Sequence, residues 1–183
     1  QMLRNFRKPL VVMSPKSLLR HKLNTSTLQE MGPGTHFWRV LGEVDALRPD
    51  DEIKRVVLCS GKVYYDLLEF RRENKIDEVA IVRIEQLYPW PRTGLAKTLS
   101  VYPNAEIIWC QEEPANMGAW TYLIQRLEYI LMAIDQGKAE HRRPLYVGRP
   151  ASASPATGSL GVHNREQARL VSEALMVPAS DLV

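Results

Sequence analysis

Lys54-Arg55-Val56-Val57-Leu58-Cys59-Ser60-Gly61 is the stretch that decides the fold of this 183-residue chain. A continuous apolar run that ends at a Ser-Gly turn is typical of a short strand buried on both faces. The residues after it, from Val63 to Phe70, carry apolar side chains at roughly helical spacing. The stretch therefore predicts a strand that is followed directly by an amphipathic helix.

The same alternation continues towards the C-terminus. Strand-like runs recur at 79–84, 107–110 and 144–147, and the clearest helical stripe lies between 120 and 134. Short apolar strands separated by amphipathic helices are typical of a mostly parallel sheet covered on both faces. We therefore predict the α/β fold class for residues 54–183, as a three-layer αβα domain.

Two further helices are predicted from weaker patterns, one after residue 91 and one at the C-terminal end. Leu95, Leu99 and Tyr102 indicate a helix after the prolines at 89 and 91. Asn164 is the expected N-cap of the final helix. Its inner face is predicted to carry Ala168, Val171, Leu175 and Met176.

The first 53 residues have a different character. Pro9–Met13 reads as one buried strand, but a lone strand cannot bury both faces. Residues 1–21 are therefore interpreted as the end of a preceding, truncated domain. Gly32-Pro33-Gly34 interrupts residues 22–53, which predicts an irregular connector lying over a surface.

Composition excludes several classes of function. The chain is 45% hydrophobic and 25% charged, as globular proteins are, and its net charge of +3 is too mild to favour nucleic acid. No apolar run approaches the roughly 20 residues that cross a bilayer, so no membrane contact is predicted. Cys59 and Cys110 each end an apolar run and are interpreted as buried thiols. No metal site is predicted, because Cys and His lack ligand spacing.

Five blocks of sequence, in order, closely resemble the C-terminal region of the E1 components of 2-oxoglutarate dehydrogenase, which are thiamine-diphosphate enzymes. They are Met13–His21, Cys59–Leu67, Val82–Pro89, Trp109–Trp120 and Gly148–Ala156. The resemblance covers nearly the whole chain. It implies a transketolase C-terminal-like domain at 54–183 and places residues 1–21 at the end of a pyrimidine-binding domain.

The resemblance also implies a function for the whole protein. Such an enzyme oxidatively decarboxylates 2-oxoglutarate with thiamine diphosphate and Mg²⁺, then passes the succinyl group to the lipoyl group of the E2 component in a multienzyme complex of the tricarboxylic acid cycle. It implies a homodimer, in the bacterial cytoplasm or the mitochondrial matrix. The rival is the same region of 2-oxoadipate dehydrogenase E1, against which Ala151–Pro155 argues. An alternative of another class is a standalone regulatory or interaction module, against which the lone strand at Pro9–Met13 argues.

No catalytic, cofactor-binding or metal-binding residue is predicted in this chain. Ser60-Gly61-Lys62 is interpreted as a tight turn with Ser60 as N-cap, rather than as an anion site. Glu112 and Glu113 are expected just past a strand end and cannot act as an acid–base pair, because adjacent strand residues point to opposite faces. One of them is expected to cap the next loop or to form an ion pair at a subunit interface. The fragment alone is expected to be inactive and not to bind thiamine diphosphate.

One cluster is predicted to bind an effector. His36 and Arg39 lie on the connector, and Gln86 and Arg92 flank the loop at 88–91. In some relatives this region binds an anionic effector such as acyl-CoA or a nucleotide, and guanidinium groups suit phosphate. The alternative is a solvated basic rim or a set of intersubunit ion pairs. The nearby aromatic residues Trp38, Tyr88 and Trp90 lack an obvious core role and are predicted to lie at an interface.

Overall fold

The computed structural model describes residues 4–136, 138 and 140–176. Parts of two predicted domains, residues 1–3 and 177–183, lie outside the described residues. The chain forms two compact units, residues 1–35 and 36–183. The boundaries predicted at 21 and 53 stay predictions.

Residues 1–35 contain little regular structure. The described part has two short 3-10 helices, Lys16–Arg20 and Gln29–Met31. The strand predicted at Pro9–Met13 is wrong for this structure: its backbone joins no ladder, and Met13 is 91% exposed. A strand needs a neighbour to accept its main-chain hydrogen bonds, and none of the described residues provides one.

Residues 36–183 form an α/β unit with five strands and four α-helices among the described residues. The strands are β1 (Val40–Leu41), β2 (Arg55–Cys59), β3 (Val79–Ile84), β4 (Glu106–Pro114) and β5 (Pro144–Arg149). The helices are α1 (Val63–Glu73), α2 (Arg92–Ser100), α3 (Trp120–Ile134) and α4 (Leu160–Leu175).

The sheet has the order β1-β3-β2-β4-β5. Strands β2 to β5 are parallel to their neighbours, and only β1 runs antiparallel, beside β3. All five residues of β2 are buried, as expected for a central strand with helices on both faces. Helices α2 and α3 pack on one face and helices α1 and α4 pack together on the other, so the predicted three-layer αβα fold is confirmed.

The helical predictions are confirmed with two corrections. The stripe of α3 is buried at Leu123, Leu127, Ile130 and Leu131. Helix α4 begins at Leu160, so Asn164 is not its N-cap. Residue Ser159 precedes the helix without a side-chain capping bond, which removes the usual sequence signal for its start. The inner face carries Val171 and Leu175, as predicted, together with Leu170 and Ala174, while Ala168 and Met176 are exposed.

The predicted connector contains one strand that the sequence pattern missed. Val40 and Leu41 pair with Ile84 and Arg83, which makes residues 36–53 part of the sheet unit. Two residues are too few to show an alternating pattern. No helix within 4–136, 138 and 140–176 is long and apolar enough to span a membrane.

Candidate functional site

All four predicted effector residues line one cavity. His36, Arg39, Gln86 and Arg92 surround a space of about 1110 Å³ at the β1 edge of the sheet, which we call the edge cavity. Residues 36–42 form one wall, and the loop after β3 together with the start of α2 forms the other. The fold thus joins residues that are far apart in the sequence.

Backbone hydrogen bonds hold the two walls together. The carbonyl oxygen of Arg39 accepts the N–H groups of Glu85 at 3.0 Å and Gln86 at 3.2 Å. The side-chain amide of Gln86 donates to the carbonyl of Pro89 at 2.6 Å, which closes the loop between β3 and α2. These bonds therefore hold the wall that carries Arg39 against the wall that carries Gln86 and Arg92.

The charged groups around the edge cavity are all of one sign. Arg39, Arg92 and Lys97 line it, and no Asp or Glu does. Within the described part of the chain, neither arginine has a carboxylate within ion-pair distance. A concave wall of cations without counter-charges attracts anions.

Aromatic side chains complete the lining. The rings of His36 and Trp38 lie 4.3 Å apart at 43°, and Trp38 is 59% exposed. The indole nitrogen of Trp90 is buried without a hydrogen-bond partner in the described structure. Trp90 packs partly against the core, edge-on to Tyr122, which is a core contact that the sequence did not predict, and its place at an interface stays a prediction. The cavity thus offers ring surface beside cations.

Sequence reasoning missed Lys97 and Thr93, although one signal was available. Both residues lie on α2, where positions four apart share a face. A helix that starts directly after Pro91 therefore places Thr93 and Lys97 on one face, which lines the edge cavity. Recognising them required the register of α2, which the sequence left uncertain.

The other candidate position, at the carboxyl end of β4, is structural. Strand β4 runs to Pro114. Gln111, Glu112 and Glu113 therefore belong to the strand, and the prediction that they follow its end is wrong. Among the described residues, neither glutamate side chain hydrogen-bonds to the following loop, so the predicted cap is wrong. Glu112 instead pairs with Lys62 of the same chain at 2.8 Å, and Glu113 is exposed.

Gln111 is the residue that fixes this region. Its side chain is buried and makes six hydrogen bonds, to Trp109 Nε1, three carbonyls (Glu113, Pro114, Met117) and two amides (Ala119, Trp120). A Cβ at Gly118, whose φ is +66°, would lie 2.9 Å from this amide. The close packing explains the glycine and leaves the Gln111 amide no capacity for a ligand.

Two further predictions concern the start of α1 and the cysteines. Ser60 is not the N-cap, because Lys62 occupies that position, while Gly61 with φ +77° makes the predicted tight turn.

Cys59 and Cys110 are buried and free, as predicted, and burial raises the pKa of both thiols. Thiols held protonated in this way are poor nucleophiles.

Comparison with known sequences identifies the family. A family model described as the 2-oxoglutarate dehydrogenase C-terminal domain matches residues 25–175. The chain belongs to this family. It is 50% identical over 184 residues to the 2-oxoglutarate dehydrogenase E1 components of Brucella anthropi, Brucella ovis and Brucella canis, which covers 96% of this chain. The chain spans 18% of the length of these relatives.

Proposed function

We propose that this chain is the C-terminal part of an E1 enzyme that oxidatively decarboxylates 2-oxoglutarate and succinylates the lipoyl group of an E2 component. The observation that carries the proposal is the 50% identity to E1 components over 96% of the chain. Identity at this level over a whole αβα unit makes a separate regulatory module the weaker explanation.

The experiment compares substrates in the whole protein that contains this region. With thiamine diphosphate and Mg²⁺ present, kcat/KM should favour 2-oxoglutarate over 2-oxoadipate by about tenfold, the order that one methylene provides. The succinyl group should then appear on an isolated lipoyl domain. A preference for 2-oxoadipate would replace the proposal with the rival E1, and no decarboxylation of either acid would overturn it.

The proposal places thiamine diphosphate and Mg²⁺ outside the described residues. No three His, Cys, Asp or Glu side chains among them converge as metal ligands. Magnesium that holds a diphosphate is bound through carboxylates and phosphate oxygens. That the isolated chain binds no thiamine diphosphate and is inactive stays a prediction.

The role proposed for this region is effector binding at the edge cavity. Arg39, Arg92 and Lys97 supply positive charge, and the exposed ring of Trp38 supplies a surface for a planar group. An organic anion with a phosphate and a ring, such as an acyl-CoA or a nucleotide, suits this combination.

The effector role is tested by kinetics of the whole enzyme. Arg92→Ala should weaken activation by acetyl-CoA or by adenosine monophosphate and leave basal turnover unchanged, because the side chain lines only the edge cavity. Arg169→Ala is the matched control, since Arg169 is an exposed arginine outside that cavity. Equal effector response in the wild type, Arg39→Ala and Arg92→Ala would refute this role in favour of a solvated basic rim.

Three further assignments complete the proposal. We propose a homodimer, association with an E2 core, and a location in the bacterial cytoplasm or the mitochondrial matrix. The name of the relatives, each an E1 component, supports the second assignment, and the other two rest on the family resemblance alone. Co-purification of the whole protein with an E2 core would test the second assignment directly.

A further inference from the structure

A buried ion cluster lies just beyond the edge cavity. Arg71, only 1% exposed, donates to both carboxylate oxygens of Glu43 and, at 2.8 Å, to Asp45. Arg72, on the solvent side, donates to both carboxylate oxygens of Asp45, at 2.8 and 2.6 Å. We call Glu43, Asp45 and Arg71 the edge clamp.

The edge clamp completes the exposed side of β3. Strand β1 pairs with only two residues of β3, Ile84 and Arg83. Further along the same edge, the N–H of Ile81 donates to the Glu43 carboxylate at 2.8 Å, and the carbonyl of Val79 accepts from Arg71 at 3.0 Å. Side chains thus satisfy main-chain groups that a longer β1 would otherwise satisfy.

This arrangement ties the clamp to the edge cavity. Arg39 directly precedes β1, and Glu43 follows it after one intervening residue. A two-residue ladder is too short to hold a segment by itself. The segment that carries Arg39 is therefore anchored on one side by the bonds from Glu85 and Gln86, and on the other side by the clamp.

We propose that Glu43 and Arg71 are positioning residues for the anionic ligand of the edge cavity. The inference rests on the proposed effector function and deepens it. Arg71 forms ion pairs with Glu43 and Asp45, so its charge is neutralised and the clamp itself does not bind an anion. It acts by fixing the backbone on which Arg39 is carried, and its loss lets that guanidinium move away from the bound phosphate.

The first test measures acetyl-CoA binding by calorimetry with Glu43→Gln, which keeps the shape and an acceptor for Ile81 but removes the charge. Loss of one charge-assisted hydrogen bond from Arg39 should raise Kd about tenfold. Asp77→Asn is the matched control, because the Arg48–Asp77 pair also fastens residues 36–53 but is exposed and lies outside the cavity. Its Kd should stay within about twofold of the wild type.

A second measurement separates positioning from general loss of stability. In Glu43→Gln, amide hydrogen exchange should rise at Val40 and Leu41 while the amides of β2 keep their wild-type protection. Should Glu43→Gln fail to fold, Asp45→Asn decides the matter, since it leaves the Glu43–Arg71 pair intact and should raise Kd by a smaller factor.

The outcomes distinguish this inference from the proposal beneath it. If Arg92→Ala raises Kd but neither Glu43→Gln nor Asp45→Asn does, the positioning role is wrong and the effector site stands. If Arg92→Ala leaves Kd unchanged, the effector site itself is wrong and the inference fails with it. Faster exchange throughout β2 in Glu43→Gln would also overturn the positioning role, because the clamp would then act on the whole sheet.

Discussion

The carbonyl oxygen of Arg39 accepts the main-chain N–H of Gln86 at 3.2 Å. This bond joins two segments of the chain whose side chains are predicted to act on the same anion. Because it lies at the base of the edge cavity, it sets the spacing between the wall that carries Arg39 and the wall that carries Arg92. The cavity is therefore a consequence of pairing β1 with β3.

Truncation of a core leucine tests the packing of α3. Leu127 is fully buried against the sheet, so Leu127→Ala should lower the free energy of unfolding by about 2–5 kcal/mol. Tyr129→Ala on the same helix is the control, because Tyr129 is 66% exposed and should change stability by less than about 1 kcal/mol. Chemical denaturation measures both, and equal losses would contradict the assignment of the buried face.

Replacement of Gln111 tests the hydrogen bonds that its side chain makes near the end of β4. Gln111→Leu leaves the indole N–H of Trp109 and the amides of Ala119 and Trp120 without their acceptor. Each buried unsatisfied group costs about 1–3 kcal/mol, so the total loss should reach about 3 kcal/mol or more. Glu113→Gln is the exposed control and should be nearly neutral. A stable Gln111→Leu variant would mean that water replaces the amide.

The pH dependence of stability tests the Asp135–Arg142 pair. Burial alone would raise the pKa of Asp135, but hydrogen bonds from the Arg142 side chain and backbone outweigh it and lower the pKa to about 2. A depressed folded-state pKa gives stability that is present above the unfolded value of about 4 and is lost as pH falls towards 2.

Asp135→Asn should therefore be less stable than the wild type at pH 7, and the difference should shrink between pH 4 and pH 2. Asp45, whose pKa is also lowered to about 2 chiefly by its hydrogen bond from Arg72, contributes equally to both proteins and cancels in the difference. Urea denaturation at each pH provides the measurement. A difference that is constant down to pH 2 would contradict the pairing.

The sequence predicts the parts of this fold that are repetitive and apolar. Val56–Cys59 was readable as a continuous apolar run because both faces of β2 are buried, and the α3 stripe was readable because burial of one helix face leaves a periodic pattern. Strand β1 was not, because two residues carry no period, and the end of β4 was not, because its polar Gln111 is buried by hydrogen bonding. Pro9–Met13 was misread, since apolar composition predicts a strand only when a partner exists.

The candidate site also contains residues that the sequence predicts and residues that it does not. The resemblance to relatives, together with the affinity of guanidinium groups for phosphate, suggested an anion at Arg39 and Arg92. The contribution of Lys97 depended on the register of α2, and that of the edge clamp on a contact between Glu43 and Arg71 across the fold. Such long-range pairings have no local signal in a single sequence.

Exposed aromatic residues give a prediction about assembly. Tyr88 is 82% exposed and Trp38 is 59% exposed, and large aromatic residues are enriched at interface cores. In the whole protein, Tyr88→Ser should weaken a dimer and shift the sedimentation profile towards the monomer at low concentration. Tyr129→Ser controls for the loss of an exposed tyrosine elsewhere. A wild-type protein that is strictly monomeric would refute the prediction.

The central claim, that the edge cavity is an anion site, is tested most directly by calorimetric titration of acetyl-CoA into the wild type and into the Arg39→Ala/Arg92→Ala double variant. The account predicts saturable binding by the wild type that weakens at least about tenfold in the double variant, with Arg169→Ala unchanged. Equal affinity in all three proteins, or no saturable binding to the wild type, would contradict it.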